Sequence, residues 1–390
     1  MKFISTLIAL LLISLVLQAK APAFKSASIL GQISESTIDE ASGLGISRKN
    51  LGIIYTHNDG SQGKVFALNL KGDLIAILNL PTGIIKTNSD FEDIAVGVGP
   101  ENGISYIYFG DFGDNNALRT NKSVIRFPEP IIDANKPQEN LTISNIDVIN
   151  FKFDDGLRDC ETLMIDPWTK DIILVSKRET FVAAYTLSNE EIPSDNEYTA
   201  KKISTLKFGK GSFAGSGVTG GDISSDGKEI LIRDYGNMYY FSREIGEDLG
   251  SVLSKDPDKI PQYNLFPNIE PQGEAVAWDS DASSFYTTSE TKAGIKSSIT
   301  QFKKETTEIL NQKKSTNPIE IIGNKLQINQ TDLVGFGRLE IYNSLSRLLE
   351  NYHISEKNVV ISLEKLETGT YFVRYICGET PFFEKFNIVK

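Results

Sequence analysis

The chain has 390 residues, of which 40% are hydrophobic and 23% charged, with a formal net charge of −11. That is the composition of an ordinary globular protein of two or three domains. The acidic balance argues against a nucleic-acid backbone as partner and suits cation binding. Cys160 and Cys377 are the whole cysteine complement. They fall in what read as different domains, so no disulfide framework is expected and stability must come from burial. Cys160, between Asp159 and Glu161, reads as a small buried hydrophobe and not as a zinc ligand.

At the start of the chain Lys2 precedes an apolar run from Phe3 to Leu17, followed by Ala19 and Ala21 at small-x-small spacing. Residues 1–21 read as a cleavable secretory signal. The run is short for a membrane anchor, and no later stretch is long and apolar enough to span a bilayer.

From Ala27 to about Phe302 strand signals dominate: short runs rich in aromatic and β-branched residues, bounded by turn residues. Five stretches share one pattern: "EASGLGIS" from Glu40, "FEDIAVG" from Phe91, "CETLMID" from Cys160, "GGDISSD" from Gly220 and "GEAVAWD" from Gly273. Aligned on Leu44, Ile94, Leu163, Ile223 and Val276, they place Ser42, Glu92, Glu161, Gly221 and Glu274 at one equivalent position. The repeats recur at roughly 50–70 residues, which suits a four-stranded propeller blade with long loops. Each continues through a turn into a second strand, such as "SYIYFGD" or "IILVSKR". The first strand of a blade lines a central channel, and the antiparallel second strand returns to the same end. The pattern predicts an all-β, five-bladed propeller over 22–305, or six blades if the long second repeat conceals a degenerate one. The last repeat supplies about three strands, and the early strand "SASILGQI" is expected to complete that blade and close the ring.

A polar linker follows at 306–316, then a C-terminal segment, 317–390, with β alternation around Gly turns. "LEIYNSLSRLL", "ISLEKLETGTYFVRY" and the terminal "EKFNIVK", with Lys385, Phe386 and Lys390, closely resemble the C-terminal sorting domain of the type IX secretion system of Bacteroidetes. The resemblance implies an Ig-like sandwich read by the type IX secretion machinery. The protein would then be secreted or held at the outer-membrane surface, with no membrane span after signal cleavage. Nothing in this segment looks catalytic, and His353 reads as a surface residue.

Ring symmetry aims Glu92, Glu161 and Glu274 at one axis. Converging carboxylates repel unless a cation joins them. Oxygen-only ligands, with Ser42 contributing a hydroxyl, favour a hard cation, and Ca2+ tolerates their irregular geometry better than Mg2+. The alternative is that these acids accept hydrogen bonds from neighbouring amides and fasten the blades. Asp93 and Asp222, one place later than Glu92 and Gly221, would point between blades. The ends of the second strands bring further polar groups to one mouth: His57, Asn58 and Asp59; Asp111, Asp114 and Asn115; Lys177 and Arg178; Arg233 and Asp234; Glu290 and Lys292. Within that set His57, Asp59, Asp111, Asp114, Lys177, Arg178 and Arg233 are the candidate catalytic residues for a phosphate-containing small molecule. The alternative for the acids is Gly-assisted turns.

The motifs "EASGLGIS", "YTHND", "DFEDIAVG", "GDFGDNN", "IRFPEP", "DCETLMIDP", "VTGGDISSDGKEILIRDYG" and "PQGEAVAWD" resemble the phytase-like family of secreted propellers, the "esterase-like activity of phytase" family. Ser42, Glu92, Glu161 and Glu274 together also look like the central calcium site of five-bladed, calcium-dependent nucleotidases of the apyrase type. The dense acid and base sets of true β-propeller phytases have no residue-by-residue match here. No nucleophile elbow, Walker loop, zinc-finger spacing or HExxH helix occurs. Two functions stay open. One is a calcium-dependent phosphoesterase of phytase-like or nucleotidase-like type. The other is a non-catalytic surface propeller that binds a ligand or protein around a structural ion.

Overall fold

The computed structural model describes residues 20–60, 62–133, 138–189, 197–209, 217–305, 318–329, 337–344, 347–354, 358–377 and 380–388. Nearly all of the leader and the whole of the linker read from the sequence lie outside them, as do the side chains of His353 and Cys377. The chain divides into two compact units, one within 1–306 and the other within 307–390. Both are all-β.

In the first unit, β1 spans Ser28–Gln32. A meander follows with β2 (Ala41–Ile46), β3 (Ile53–Asn58), β4 (Lys64–Asn69) and β5 (Leu74–Asn79). The next set holds β6 (Phe91–Val98), β7 (Ser105–Asp111) and β8 (Lys122–Pro128), then β9 (Glu139–Thr142) and β10 (Asp147–Phe153). Then come β11 (Cys160–Ile165), β12 (Ile172–Ser176), β13 (Ala183–Leu187) and β14 (Tyr198–Thr205). The fourth set has β15 (Val218–Ile223), β16 (Glu229–Asp234), β17 (Met238–Ser242), a short helix α1 (Leu249–Leu253) and β18 (Asp258–Lys259). The last has β19 (Gly273–Trp278), β20 (Ser284–Ser289) and β21 (Ser298–Lys303).

Each set is an antiparallel sheet built outward from its first strand. As expected from the sequence, β1 pairs antiparallel with β21, so both ends of the unit lie in one sheet. The length of the second repeat is explained by β9, which leaves its own meander to pair parallel with β5. The second and third sheets join through a parallel pair, β10 with β14.

The first strands are buried along almost their whole length. Strand β2 lies beside β6, β6 beside β11, β11 beside β15, β15 beside β19, and β19 beside β2. Such close neighbours need small residues. A Cβ on Gly43 would stand 2.6 Å from the Ile94 nitrogen, and one on Gly220 would stand 2.6 Å from the Glu274 oxygen. Side chains pointing sideways from the strands form apolar layers between successive sheets. Tyr55 and Phe109 share one layer, Tyr108 and Leu163 the next, then Ile173 and Ile232. Leu231 and Trp278 share a fourth, and Ala277 and Leu44 return to the first sheet.

The second unit has two sheets. Strands β22 (Ile319–Ile322), β23 (Lys325–Asn329) and β26 (Asn358–Ser362) form one. Strands β24 (Gly337–Asn343), β25 (Leu348–Ile354), β27 (Gly369–Cys377) and β28 (Thr380–Ile388) form the other. Leu326 and Ile328 from the first share one apolar core with Leu339, Val373 and Phe386 from the second. No helix among the described residues is long and apolar enough to cross a membrane.

Candidate metal and ligand site

The hairpin between each first and second strand carries a register shift at the same place. It falls between Ala41 and Leu44, Phe91 and Asp93, Cys160 and Thr162, Val218 and Gly220, and Gly273 and Ala275. A bulge frees the extra residue from the ladder and re-aims its side chain. The residues so placed include Ser42, Glu92, Glu161 and Glu274. In the fourth sheet it is Thr219. The sequence alignment sets Gly221 at that position, two residues further along, because it weighs the hydrophobic anchor Ile223 and cannot see the bulge. Thr219 behaves like Ser42: Ser42 Oγ donates to the Glu92 backbone oxygen at 2.8 Å, and Thr219 Oγ1 to that of Gly273 at 2.9 Å.

Ser42, Glu92, Glu161 and Glu274 line one cavity of about 180 Å³. The same wall holds Asp59, Lys177, Tyr235 and Glu290. Each of these follows directly on the last paired residue of its second strand: Asn58, Ser176, Asp234 and Ser289. In the second sheet that place belongs to Phe112, which turns into the core, and Asn115 reaches the cavity instead. Arg178 and Gln272 complete the wall, so five carboxylates meet two cations and every lining side chain is polar.

Burial, with the Asp90 and Glu274 carboxylates nearby, pushes Asp59 up to about 6. Burial and Glu274 push Glu290 up to about 7. Glu92 is raised well above the usual carboxylate range by burial, then by Glu161 and Asp59. Burial also raises Glu161, against the pull of Lys177. Lys177 is the internal counter-ion: burial works against its charge, yet Glu161 and Glu274 hold its pKa above normal. It is ion-paired with Glu161. Arg178 pairs with Asp159 and lies 3.9 Å from Glu161. Glu274 accepts one bond from the Tyr235 hydroxyl at 3.1 Å, while its Oε2, on a side chain only 3% exposed, has no hydrogen-bond partner.

Two groups of buried or half-buried acids can hold a metal ion: Asp59, Asp90 and Glu92, and Glu92, Asp159 and Glu161. In each, one oxygen from every residue lies within 4.8 Å of the others. The donor set is all oxygen, and the unpartnered Glu274 oxygen adds a further ligand on the same cavity. These residues fit a hard divalent cation.

The other residues read as catalytic from the sequence do not line this cavity. His57 is fully buried beside Phe109, its Nδ1 2.8 Å from the Asn58 backbone oxygen, and burial lowers its pKa to about 4. Asp111 accepts from Ser89 Oγ at 3.0 Å and the Asp90 amide at 2.9 Å, and pairs with Arg119 at 2.6 Å. Asp114 accepts from the Leu118 and Arg119 amides at 2.7 and 2.9 Å, and pairs with Lys122 at 2.8 Å. Arg233 is 0% exposed and donates to the Ala275 oxygen at 2.8 Å and to Glu270 at 3.0 Å. Those residues fasten turns and neighbouring sheets. Asp93 also bridges strands, accepting from the amides of Ile94 and Leu163 at 2.8 and 2.7 Å. Asp222 does the same with Ile223 and Trp278, at 2.8 and 2.7 Å. Sequence reasoning missed Tyr235 and Gln272; it set Asp59, Asn115, Lys177, Arg178 and Glu290 at the mouth but left Asn115 and Glu290 out of the candidate catalytic set. The signal for the group was the fixed offset beyond the strand end.

No protein-family model matches the chain, and no curated protein matches it. Among solved structures, the Dos1 propeller is 11% identical, with a TM-score of 0.34, over 67% of this chain and 68% of that one. A calcium structure of a Trichoderma reesei carbohydrate-active enzyme of family AA12 is 11% identical, with a TM-score of 0.38, over 67% of this chain and 80% of that one. The complex of KlAtg21 with the coiled coil of AgAtg16 gives 8% identity and a TM-score of 0.31, over 68% and 71%. The likeness is weak and distant, and attaches none of those proteins' functions to this chain.

Proposed function

We propose that residues 22–305 form a five-bladed β-propeller whose acidic hub binds calcium, and that the protein is an exported surface module that binds a ligand or protein around that ion. The observation that carries this reading is the meeting of Ser42, Glu92, Glu161 and Glu274, from four different first strands, on one wholly polar cavity. The cyclic order of the first strands and the sharing of one sheet by β1 and β21 support the propeller. Calcium is the choice among hard cations because it accepts carboxylate, hydroxyl and amide oxygens in irregular number.

Binding is favoured over catalysis because His57, Asp111, Asp114 and Arg233 are committed to the scaffold. A phosphoesterase is the second reading, and the observation for it is that Lys177 and Arg178 share the cavity with the acids. A phosphate there would have to draw both cations from their carboxylate partners. The test is thermal melting of chelator-treated protein with added CaCl2, beside turnover of nitrophenyl phosphate, nucleotides and phytate. Calcium at one hundred times its Kd stabilises the fold by about 2.7 kcal/mol, and about 2–4 °C per kcal/mol gives a rise of roughly 5–10 °C. Glu274→Gln is expected to remove most of that rise. No shift with millimolar calcium would end the calcium reading, and calcium-dependent turnover would move the conclusion to the hydrolase.

The leader at 1–21, the linker at 306–316 and the sorting domain at 317–390 belong to the same proposal. Support comes from the division into two compact units near 306 and from the single core shared by two sheets in the second.

A further inference from the structure

The opposite ends of the first strands line a second cavity, of about 320 Å³ and a different character. Where Glu92 and Glu161 face the acidic hub, Val96 and Ile165, four residues further along the same strands, face this one. Ile223 from β15 and Ile104 from the β6–β7 turn add to a mainly apolar wall, and Arg48, just beyond β2, stands in it. We propose that this cavity binds a small organic monocarboxylate with an apolar body, the carboxylate on Arg48 and the body against Val96, Ile104, Ile165 and Ile223.

The Arg48 Nη1 is buried and has no hydrogen-bond partner. A buried guanidinium N–H without an acceptor is costly, so a ligand that supplies an oxygen recovers the loss. The residue's backbone is already fixed: its amide donates to Glu129 Oε2 at 3.3 Å, and Glu129 is held in turn by Tyr55 and Ser105 hydroxyls at 3.0 and 2.6 Å. Nearby polar groups are occupied. Lys170 donates to Asn102 Oδ1 at 2.7 Å, and Glu101 accepts from the Tyr106 hydroxyl at 3.1 Å. Asp222, whose charge Arg48 steadies, spends its oxygens on the Ile223 and Trp278 amides. One spare guanidinium edge in an apolar wall suits one negative charge. Lys170, the other cation on the wall, is accompanied there by the Glu101 carboxylate, so a phosphate dianion would bring more negative charge than the wall balances. The size falls at the lower end of small-molecule pockets, roughly 300–1,000 Å³.

Isothermal titration of the full chain with octanoate and with its neutral amide tests the assignment. Octanoate is expected to bind saturably, one molecule per chain, with or without chelator, and octanamide at least about tenfold more weakly. Arg48→Gln is expected to lose at least about tenfold in octanoate affinity. Ile104→Asp, at the exposed mouth, is expected to do the same at an unchanged melting temperature, and it decides the matter if Arg48→Gln proves unstable. Absence of saturable octanoate binding, equal binding of octanamide, or unchanged affinity in Ile104→Asp and a folded Arg48→Gln overturns the proposal. Displacement of octanoate by inorganic phosphate at equal concentration overturns the monocarboxylate class.

Discussion

Lys177 decides how the acidic hub behaves without a cation. Its ammonium lies on Glu161, where it offsets part of the repulsion among Glu92, Glu161 and Glu274. Replacing it with methionine keeps the aliphatic stem and removes the charge. Lys177→Met is therefore expected to melt lower than wild type in chelator and to gain more than wild type from calcium, a comparison read directly by calorimetry. The hub also sets a pH dependence. Asp59 and Glu290 are held at about 6 and about 7, above their ordinary 3.8 and 4.5. The fold without a cation thus holds these protons more tightly than the unfolded chain does. Its contribution from them is full below about pH 4 and is lost as pH rises to 7. A bound cation favours the ionised forms and reverses that loss, so the calcium-induced rise in melting temperature is expected to be larger at pH 7.5 than at pH 5. His57, held neutral to about pH 4, acts equally with and without the ion and cancels in the difference. At this scale the sequence was partly legible. Glu92, Glu161 and Glu274 stand out because acids recur before a hydrophobic anchor. Thr219 does not, because Gly221 stands two residues after it, where the other repeats carry the hydrophobic anchor. His57, Asp111 and Arg233 carry the right chemistry but sit within the ladder, where side chains turn between sheets.

Between elements, buried ion pairs join sheets that the apolar layers already hold. Arg233 on β16 spans to the fifth sheet, donating to the Ala275 oxygen and pairing with Glu270, both side chains 0% exposed. It lies against the Tyr263 ring, 5.1 Å from its centroid. Removing one partner of such a pair leaves an uncompensated charge in the interior, at a cost of about 3–5 kcal/mol. Arg233→Ala is expected to lower denaturant stability by that amount. Ligand and cation affinity in the surviving folded protein should be unchanged, because the side chain does not line either cavity. A selective loss of ligand affinity at unchanged stability would return Arg233 to a binding role. Arg243 with Asp166, at 2.9 Å, makes the corresponding link between the third and fourth sheets. The strand repeats were readable from hydrophobic pattern and turn residues. These clamps were not, since partners such as Arg233 and Glu270 come from different repeats and only packing shows that they meet.

At the scale of the first unit, the decisive feature is that its earliest and latest strands share a sheet. Strand β1 completes the sheet of β19, β20 and β21, and the residues before it lie in the same core: Phe24 is fully buried, its ring 5.0 Å from that of Phe285 and 6.3 Å from that of Trp278. Without that segment β21 would present an unpaired edge, and the layer holding Leu231, Trp278 and Phe302 would open to water. The sequence announces this closure through the strand pattern "SASILGQI" ahead of the first repeat. It does not announce the contribution of Phe24, which precedes the strand and pairs only through an isolated bridge to Lys304. Phe24→Ala removes a ring from a close-packed layer and is expected to cost about 3–5 kcal/mol. Because that layer joins the fourth and fifth sheets, the loss should lower the whole transition of the first unit, by about 2–4 °C for each kcal/mol, with strand and aromatic signals falling together. Melting followed by far- and near-ultraviolet circular dichroism reads both. If the aromatic signal near Trp278 were lost well before the strand signal, the last sheet would be opening alone, and the terminal strand would be an accessory to the unit and not its closure.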